Sequence, residues 1–262
     1  MSTIKFPRVF DHQILDLIFY KAFADLRAEA AKTYINYLWW VIDPILTMLI
    51  FYIVFGLIFQ RDEEGFIQFL LTGLVVWTWY RQTISHACNS ILSGKALMAQ
   101  IHVPKIVFPT VVILTDVTKF VFVFALLILF LWFSGYSVSH SYIALILVLL
   151  TQLLLITALA YSAAALVPFL PDLRFLIDNL LHLQFFVSGL FFSAELVPEK
   201  YRGLFFLNPM ASLINDYRAI LLHQAWPDWG RLAFISIFAI FVITFATYII
   251  NRYDQDYPRI TR

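Results

Sequence analysis

Six long apolar stretches constrain the fold of this chain more than any other feature. A helix needs about 20 predominantly apolar residues to cross the hydrocarbon core of a bilayer. The stretches are Leu38–Phe59, Phe66–Cys88, Ile106–Phe133, Tyr142–Val167, Phe175–Phe192 and Leu232–Ile250. They predict an all-α membrane protein with six transmembrane helices, one of them short. We expect a single domain over residues 1–262, with the first five spans within 38–192 and the sixth at 232–250.

Composition narrows the class of protein further. Of the 262 residues, 61% are hydrophobic and 13% are charged, about half the charged fraction of an ordinary soluble domain. Lys and Arg total 18 against 17 Asp and Glu, so no basic field exists to attract nucleic acid. Cys88 is the single cysteine and no Cys/His spacing matches a zinc site, so the sequence carries no disulfide or metal signal. The first residues also lack the pattern of a cleavable signal peptide.

The basic residues between the apolar stretches predict an orientation. With the amino terminus in the cytoplasm, eleven Lys and Arg fall inside and five outside, while Arg81 and Lys119 lie within spans. This excess of positively charged residues on the inner side predicts that both termini are cytoplasmic. The five residues expected outside are Arg61, Lys200, Arg202, Arg218 and Arg231.

Three segments outside the spans have their own patterns. Residues 8–34 carry apolar side chains near helical spacing with charges elsewhere, which predicts an amphipathic helix on the cytoplasmic membrane surface. The cytoplasmic loop Ser93–Lys105 can form a short helix ended by Pro104. Residues 193–226 hold apolar clusters interrupted by proline and glycine, which predicts two short re-entrant helices on the outside.

The sequence offers no site for intrinsic catalysis. Its Gly94-Lys95 pair fails as a phosphate-binding loop, because Asn89 stands where the first glycine is needed and Ala96 replaces the hydroxyl residue. An intramembrane enzyme acting on lipid-linked sugars would need clustered carboxylates or a His/Asp pair at a membrane edge, which the pattern does not indicate. A channel or proton-coupled carrier is disfavoured because no internal repeat occurs.

Ionisable residues within the spans are few, and each carries a functional hypothesis because charges in lipid are costly. Asp116 and Lys119 are three residues apart on one helical face, which predicts an ion pair; a proton or substrate relay is the alternative. Arg81 follows Trp79 and Tyr80 near the cytoplasmic end of the second span. It can reach lipid headgroups or contact an anionic substrate lipid.

Several short motifs, in order and at their spacing, resemble a known family. The motifs are Tyr37-Leu38-Trp39 with Pro44 and Phe55-Gly56, Pro171-Asp172-Leu173-Arg174, Ser188-Gly189-Leu190-Phe191-Phe192, Asn208-Pro209-Met210 and Tyr217-Arg218. They are similar to ABC-2 type transport permeases, especially those that export O-antigen and capsule polysaccharides. The resemblance covers nearly the whole chain. One departure is that PDLR replaces the usual RD pair before the fifth span.

The resemblance implies a homodimer bound to two copies of a separate ATPase, which would bind ATP and Mg²⁺, so no cofactor is expected in this chain. The substrate would be a glycan on a polyprenyl-diphosphate lipid, crossing the bacterial inner membrane between the protomers. Helix 8–34 and loop Ser93–Lys105 would meet the ATPases, and 193–226 would form external gate helices. The residues expected to couple to the ATPase are Lys95, Met98, His102 and Lys105, and those expected near the lipid diphosphate are Arg27, Lys32 and Arg81.

Aromatic residues on the first and fifth spans suit such a substrate, because sugar rings pack their C–H faces on aromatic planes. Five of them are candidates for the pathway, and lipid contact or an interfacial belt is the alternative interpretation of each. The candidates are Tyr52, Phe55, Phe59, Phe185 and Phe192. Within the same family, teichoic acid or a small hydrophobic compound is the alternative substrate, and a lipid-sugar transferase is a more remote alternative.

Overall fold

The computed structural model describes residues 12–31, 38–54, 65–101 and 103–260, and these are helical with no strand among them. The helices coincide with the apolar runs of the chain, and several of them end near a proline or a glycine. The helices are α1 His12–Ala31, α2 Trp39–Phe51, α3 Phe66–Cys88, α4 Ser90–Ser93, α5 Lys95–Gln100, α6 Val107–Phe133, α7 Tyr142–Leu166, α8 Leu173–Val187, α9 Glu199–Phe206, α10 Pro209–Leu221, α11 Trp229–Arg252 and α12 Tyr257–Ile260.

Three helices, α6, α7 and α11, are long and apolar enough to cross a membrane, with 27, 25 and 24 residues. Helix α7 lies along α11, and α3 packs between α6 and α7. Helix α3 is the centre of the bundle, since Leu70, Val76 and Trp77 on it are almost fully buried. The predicted second, third, fourth and sixth spans coincide with α3, α6, α7 and α11. Crossing of the membrane by α2, α3 and α8 stays a prediction.

The predicted fifth span, Phe175–Phe192, is wrong at its carboxyl end. Helix α8 stops at Val187, after only 15 residues. Gly189 adopts φ +71°, a left-handed conformation that a helix cannot continue through. A Cβ at Gly189 would also lie 2.9 Å from the Phe205 ring, so the chain turns there in tight contact with α9.

Helix α1 confirms the amphipathic pattern over its described range, His12–Ala31. Its apolar stripe of Ile18, Ala22 and Leu26 is buried, and the first two of these pack against Val107 and Val111 on the first turns of α6. Packing on α6 therefore covers one face of this helix. Phe19, Tyr20 and Phe23 remain exposed, and location at a membrane surface stays a prediction.

The bundle has two distinct ends. At the end that we call the α5 end, α5 forms the helix predicted for the Ser93–Lys105 loop and ends at Gln100, and α12 contacts it. Tyr257 of α12 is fully buried there, and its hydroxyl donates a 3.0 Å hydrogen bond to the Ala165 carbonyl. The carboxyl-terminal segment is thereby fixed to the same end as α5.

At the opposite end, the α10 end, residues 193–226 contain the short helices α9 and α10, and their re-entrant position in a membrane stays a prediction. Asn208 caps α10 by accepting a hydrogen bond from the Met210 amide, and Pro209 occupies the first helical position. Helix α10 buries ten of its thirteen residues, mainly against α3 and α7. It is thus an integral part of the bundle rather than an external loop.

Candidate functional site

Arg218 ties the α10 end together. The count of positive charges places it on the outer side of the membrane, and the structure shows that its side chain is buried within the bundle. Its guanidinium donates to the backbone carbonyls of Phe69, Gly189 and Leu190 at 3.1, 2.6 and 2.9 Å, and lies 3.3 Å from the centre of the Phe69 ring. Burial lowers the pKa of Arg218 to about 9. One residue therefore joins α10 to the start of α3 and to the turn after α8.

A chain of neutral hydrogen bonds joins the same three helices. The Tyr80 hydroxyl donates to Gln184 Oε1 at 2.9 Å, and Gln184 Nε2 donates to Asn208 Oδ1 at 2.8 Å. Asn208 Nδ2 in turn donates to Ser188 Oγ at 2.8 Å. Asn208 of the Asn-Pro motif is thus both the cap of α10 and the link to α8.

Helix α8 exposes most of its surface, and Leu181 is the single buried residue in this fully described helix. Phe175, Asn179, His182 and Phe186 are exposed and follow one another at i, i+4, i+7 and i+11, on one helical face. We call these four residues the α8 stripe. The His182 and Phe186 rings are 5.4 Å apart in an edge-to-face arrangement. Asn179 and His182 place polar groups on a helix surface that the rest of the protomer leaves uncovered.

The predicted pathway aromatics lie in different surroundings. Phe185 points into the bundle, with its ring 5.7 Å from Trp77 and 5.2 Å from Phe191, so it forms part of the core. Tyr52 packs partly buried against the same core. Phe192 lines a cavity of about 740 Å³ at the α10 end, opposite Tyr136. The remaining two candidates, Phe55 and Phe59, lie outside the described residues.

A polar network crosses the middle of the bundle. The predicted ion pair is confirmed, with Lys119 Nζ 3.2 Å from Asp116 Oδ1. Sequence spacing did not reveal the other partners: His86 Nδ1 lies 2.8 Å from Asp116 Oδ2, and Glu29 of α1 accepts a 2.5 Å hydrogen bond from Lys119. The network lines a cavity of about 330 Å³ whose walls include Trp40. It links α1 to α3 and α6. In the described part of the chain, His, Cys, Asp and Glu form no group able to hold a metal ion.

The predicted coupling residues separate into two kinds. Lys95 is exposed on α5, while Met98 packs partly buried on the cluster around Tyr257. Lys105 is buried, and its ammonium lies 3.1 Å from the Val103 carbonyl and 3.4 Å from Asp254 Oδ2. It therefore fixes the loop to the carboxyl-terminal segment instead of presenting a free charge. His102 lies outside the described residues.

The residues predicted near a lipid diphosphate sit on two helices. Arg27 is exposed on α1 and Arg81 is exposed on α3. Lys32 lies outside the described residues. The structure leaves both described arginines accessible, as a headgroup contact requires.

The long apolar helices α6, α7 and α11 are those expected of a membrane protein. The family model of ABC-2 type transporters matches residues 3–222. This chain therefore belongs to the ABC-2 type transporter family.

Three relatives narrow the comparison. The chain is 26% identical over 235 residues to the O-antigen export system permease protein RfbA of Myxococcus xanthus, covering 89% of this chain and 90% of the relative. It is 23% identical over 211 residues to the protein of the same name in Klebsiella pneumoniae, with coverage of 80% and 82%. It is also 22% identical over 219 residues to the polysialic acid transport protein KpsM of Escherichia coli, with coverage of 82% and 85%. The chain is thus an ABC-2 permease homologous to O-antigen and capsule polysaccharide exporters.

Proposed function

We propose that this chain is the transmembrane subunit of an ATP-driven exporter that moves a lipid-linked, O-antigen-like polysaccharide across the bacterial inner membrane. Two copies of the chain work with two copies of a separate ATPase, which binds ATP and Mg²⁺. The names of the relatives, export permeases for O-antigen and a transport protein for polysialic acid, support the substrate class.

The α8 stripe carries this proposal. Asn179 and His182 lie exposed between Phe175 and Phe186 on a helix that buries almost nothing within its own protomer. Exposing amide and imidazole groups to hydrocarbon is unfavourable, so a second protomer and a hydrated path between the two copies account for this surface. Alternating aromatic planes and hydrogen-bonding groups suit sugar rings, which present both C–H faces and hydroxyls.

The α5 end supports a role in coupling to the ATPase. With both termini cytoplasmic, α5 and α1 would meet the ATPase, and Lys95 would be the exposed cation of that surface. Lys105 joins the loop to Asp254, and Glu29 joins α1 to Lys119 inside the bundle. Movement of either surface helix is thereby transmitted to α6 and α11 through ion pairs and packing.

Replacing the polar residues of the α8 stripe tests the path. The double variant Asn179→Leu/His182→Leu should reduce glycan at the cell surface roughly tenfold, because a hydrated path would lose two hydrogen-bonding groups. Thr244→Leu is the matched control, since Thr244 is also a polar residue on an exposed helical surface, and its export should be unchanged. Export at the wild-type level in the double variant would remove the α8 stripe from the path.

Purification with the ATPase encoded beside this chain tests the class of machine. We expect a stable complex with two copies of each chain that hydrolyses ATP, and loss of surface glycan when this chain is deleted. A chain that binds no ATPase contradicts the exporter. A complex whose deletion leaves the glycan unchanged but depletes teichoic acid or another lipid-linked product contradicts the polysaccharide assignment.

A further inference from the structure

Two cavities at the α10 end share a wall made of Arg202, Phe206 and Arg231. On one side is a cavity of about 670 Å³ between α9, α10 and α11, which we call the apolar chamber. On the other side is a cavity of about 470 Å³, which we call the polar chamber. The two arginines thus stand between an apolar and a polar space, an arrangement that fits an amphiphile with a phosphate between its two halves.

The apolar chamber suits a hydrocarbon chain. Leu207, Phe234, Ile235 and Phe238 line it, and Phe234 and Phe238 are exposed on the outer face of α11. Helix α11 is long and apolar enough to cross a membrane, so this chamber opens toward lipid. Gly203 leaves further room, because a Cβ at this helical position would meet nothing within 4 Å.

The polar chamber has the composition of a sugar site. Trp226 offers an exposed aromatic plane, and Glu195, Asn215 and Asp228 supply oxygen acceptors for hydroxyl groups. The carboxylates of Glu195 and Asp228 disfavour a second anionic group in this chamber. They therefore favour a neutral sugar over free phosphate.

The wall arginines are held in place by the protein. Arg231 Cζ lies 3.5 Å from the centre of the Phe206 ring, and its Nε is 3.1 Å from Asp228 Oδ2. Arg202 donates to the Val197 and Glu195 carbonyls, each at 3.0 Å. A guanidinium has five N–H donors, so these contacts leave donors on both side chains for a ligand. Arginines that are already ordered bind phosphate with less loss of entropy.

We propose that the two chambers hold the lipid end of the exported glycan: its hydrocarbon chain in the apolar chamber, the phosphate groups of its diphosphate at Arg202 and Arg231, and its first sugar in the polar chamber. The inference rests on the proposed function, which supplies a lipid-linked glycan and places the α10 end outside. The site then receives the lipid end after it has crossed the membrane.

We would test the arginine wall and the apolar chamber by measuring lipid binding. The protein is the complex of this chain with its ATPase, in phosphatidylcholine nanodiscs. The probes are undecaprenyl phosphate, undecaprenol and phosphatidylglycerol. We expect selective retention of undecaprenyl phosphate and at least tenfold weaker binding in Arg202→Gln/Arg231→Gln. Gly203→Leu should weaken binding similarly by filling the chamber while keeping both arginines. Arg252→Gln, at the far end of α11, is the matched control and should bind like the wild type.

The polar chamber has its own test. A lipid phosphate carrying one neutral hexose should bind more tightly than undecaprenyl phosphate, and Trp226→Ala should abolish this preference without changing affinity for the sugar-free lipid. Trp132→Ala is the control, since Trp132 is also an exposed tryptophan but lines neither chamber. Loss of binding of both lipids in Trp226→Ala, with a lowered melting temperature, would contradict a role in sugar recognition.

The outcomes separate this site from the proposed function. Equal retention of undecaprenyl phosphate by the wild type, Arg202→Gln/Arg231→Gln and Gly203→Leu would overturn the site, as would equal binding of phosphatidylglycerol. If the site is overturned in this way but deletion of the chain still abolishes surface glycan, the proposed function is retained. If the complex binds the lipid selectively but deletion of this chain leaves the surface glycan unchanged, the lipid site is kept and the assignment of a polysaccharide substrate is rejected.

Discussion

The two ends of the bundle are held by different interactions. At the α10 end, Arg218 donates to three backbone carbonyls, and neutral side chains join Tyr80, Gln184 and Asn208. At the α5 end and in the middle of the bundle, side-chain ion pairs join separate segments: Lys105 with Asp254, and Glu29 and Asp116 with Lys119. Arg218 therefore binds fixed main-chain acceptors, whereas Lys105 and Lys119 link separate segments through side-chain carboxylates.

This difference suits different mechanical roles. Backbone carbonyls cannot change rotamer, so Arg218 holds the turn after α8 and the start of α3 at one geometry. Carboxylates and ammonium groups on side chains can exchange partners, and the Glu29 side chain is about half exposed at 47%. The α5 end can therefore rearrange when a partner moves α1, while the α10 end keeps its shape.

The largest effect is expected at Arg218. Arg218→Gln leaves at least two buried carbonyls unpaired and removes the contact with the Phe69 ring, which should lower the free energy of unfolding by about 3 kcal/mol or more. Thermal unfolding in detergent measures the change, with the exposed Arg81→Gln as control. Equal melting temperatures for the two variants would show that the α10 end is not held by Arg218.

The next effect concerns the network around Lys119. Lys119→Met leaves Asp116 buried with one positive partner fewer and should destabilise the protein by about 2–3 kcal/mol. The double variant Lys119→Met/Asp116→Asn should recover part of that loss, because it removes the uncompensated carboxylate. Unfolding of these two variants and of the single variant Asp116→Asn gives the coupling between the two residues. Strict additivity would mean that the pair contributes nothing.

Sequence patterns predicted the long helices well and the polar contacts poorly. Hydropathy placed α3 at the observed Phe66–Cys88, because the run of apolar residues that forms a buried helix is visible in the sequence of that helix alone. It extended α8 too far, because the apolar residues continue past Gly189, whose left-handed conformation ends the helix. The burial of Arg218 could not be predicted, because its carbonyl partners have no sequence signature. Glu29 and Lys119 are 90 residues apart, beyond any local spacing rule.

Asp216 is the exception among the neutral contacts of the α10 end. Its Oδ1 accepts a 3.2 Å hydrogen bond from the Asp228 amide, and its Oδ2 has no partner among the described residues. Burial raises the pKa of Asp216 to about 7, with the Asp228 charge adding to the rise, and the Asp228 amide and Arg231 opposing it.

This raised pKa predicts a pH-dependent stability. Between about pH 4 and 7 the unfolded chain loses the Asp216 proton while the folded chain keeps it, so stability falls as the pH rises. From pH 5 to 8 the free energy of unfolding should fall by about 2 kcal/mol. Asp216→Asn should remove this dependence while still accepting the Asp228 hydrogen bond. If the free energy of unfolding of the variant and of the wild type changed with pH in parallel, the assignment of this pH dependence to Asp216 would be wrong.

The smallest effect is expected at the Lys105 ion pair. Asp254→Asn keeps an acceptor for the Lys105 amide but removes the charge near its ammonium, at a cost of about 1 kcal/mol, because Asp254 is partly exposed. The larger consequence should be in coupling: ATP hydrolysis by the complex would persist while export per ATP declines. Asp172→Asn, an exposed carboxylate elsewhere, is the control for both measurements. If export and hydrolysis decline together in Asp254→Asn, the Lys105–Asp254 ion pair serves assembly with the ATPase. In that case the side-chain charges at the α5 end have a structural role like that of the carbonyl contacts of Arg218.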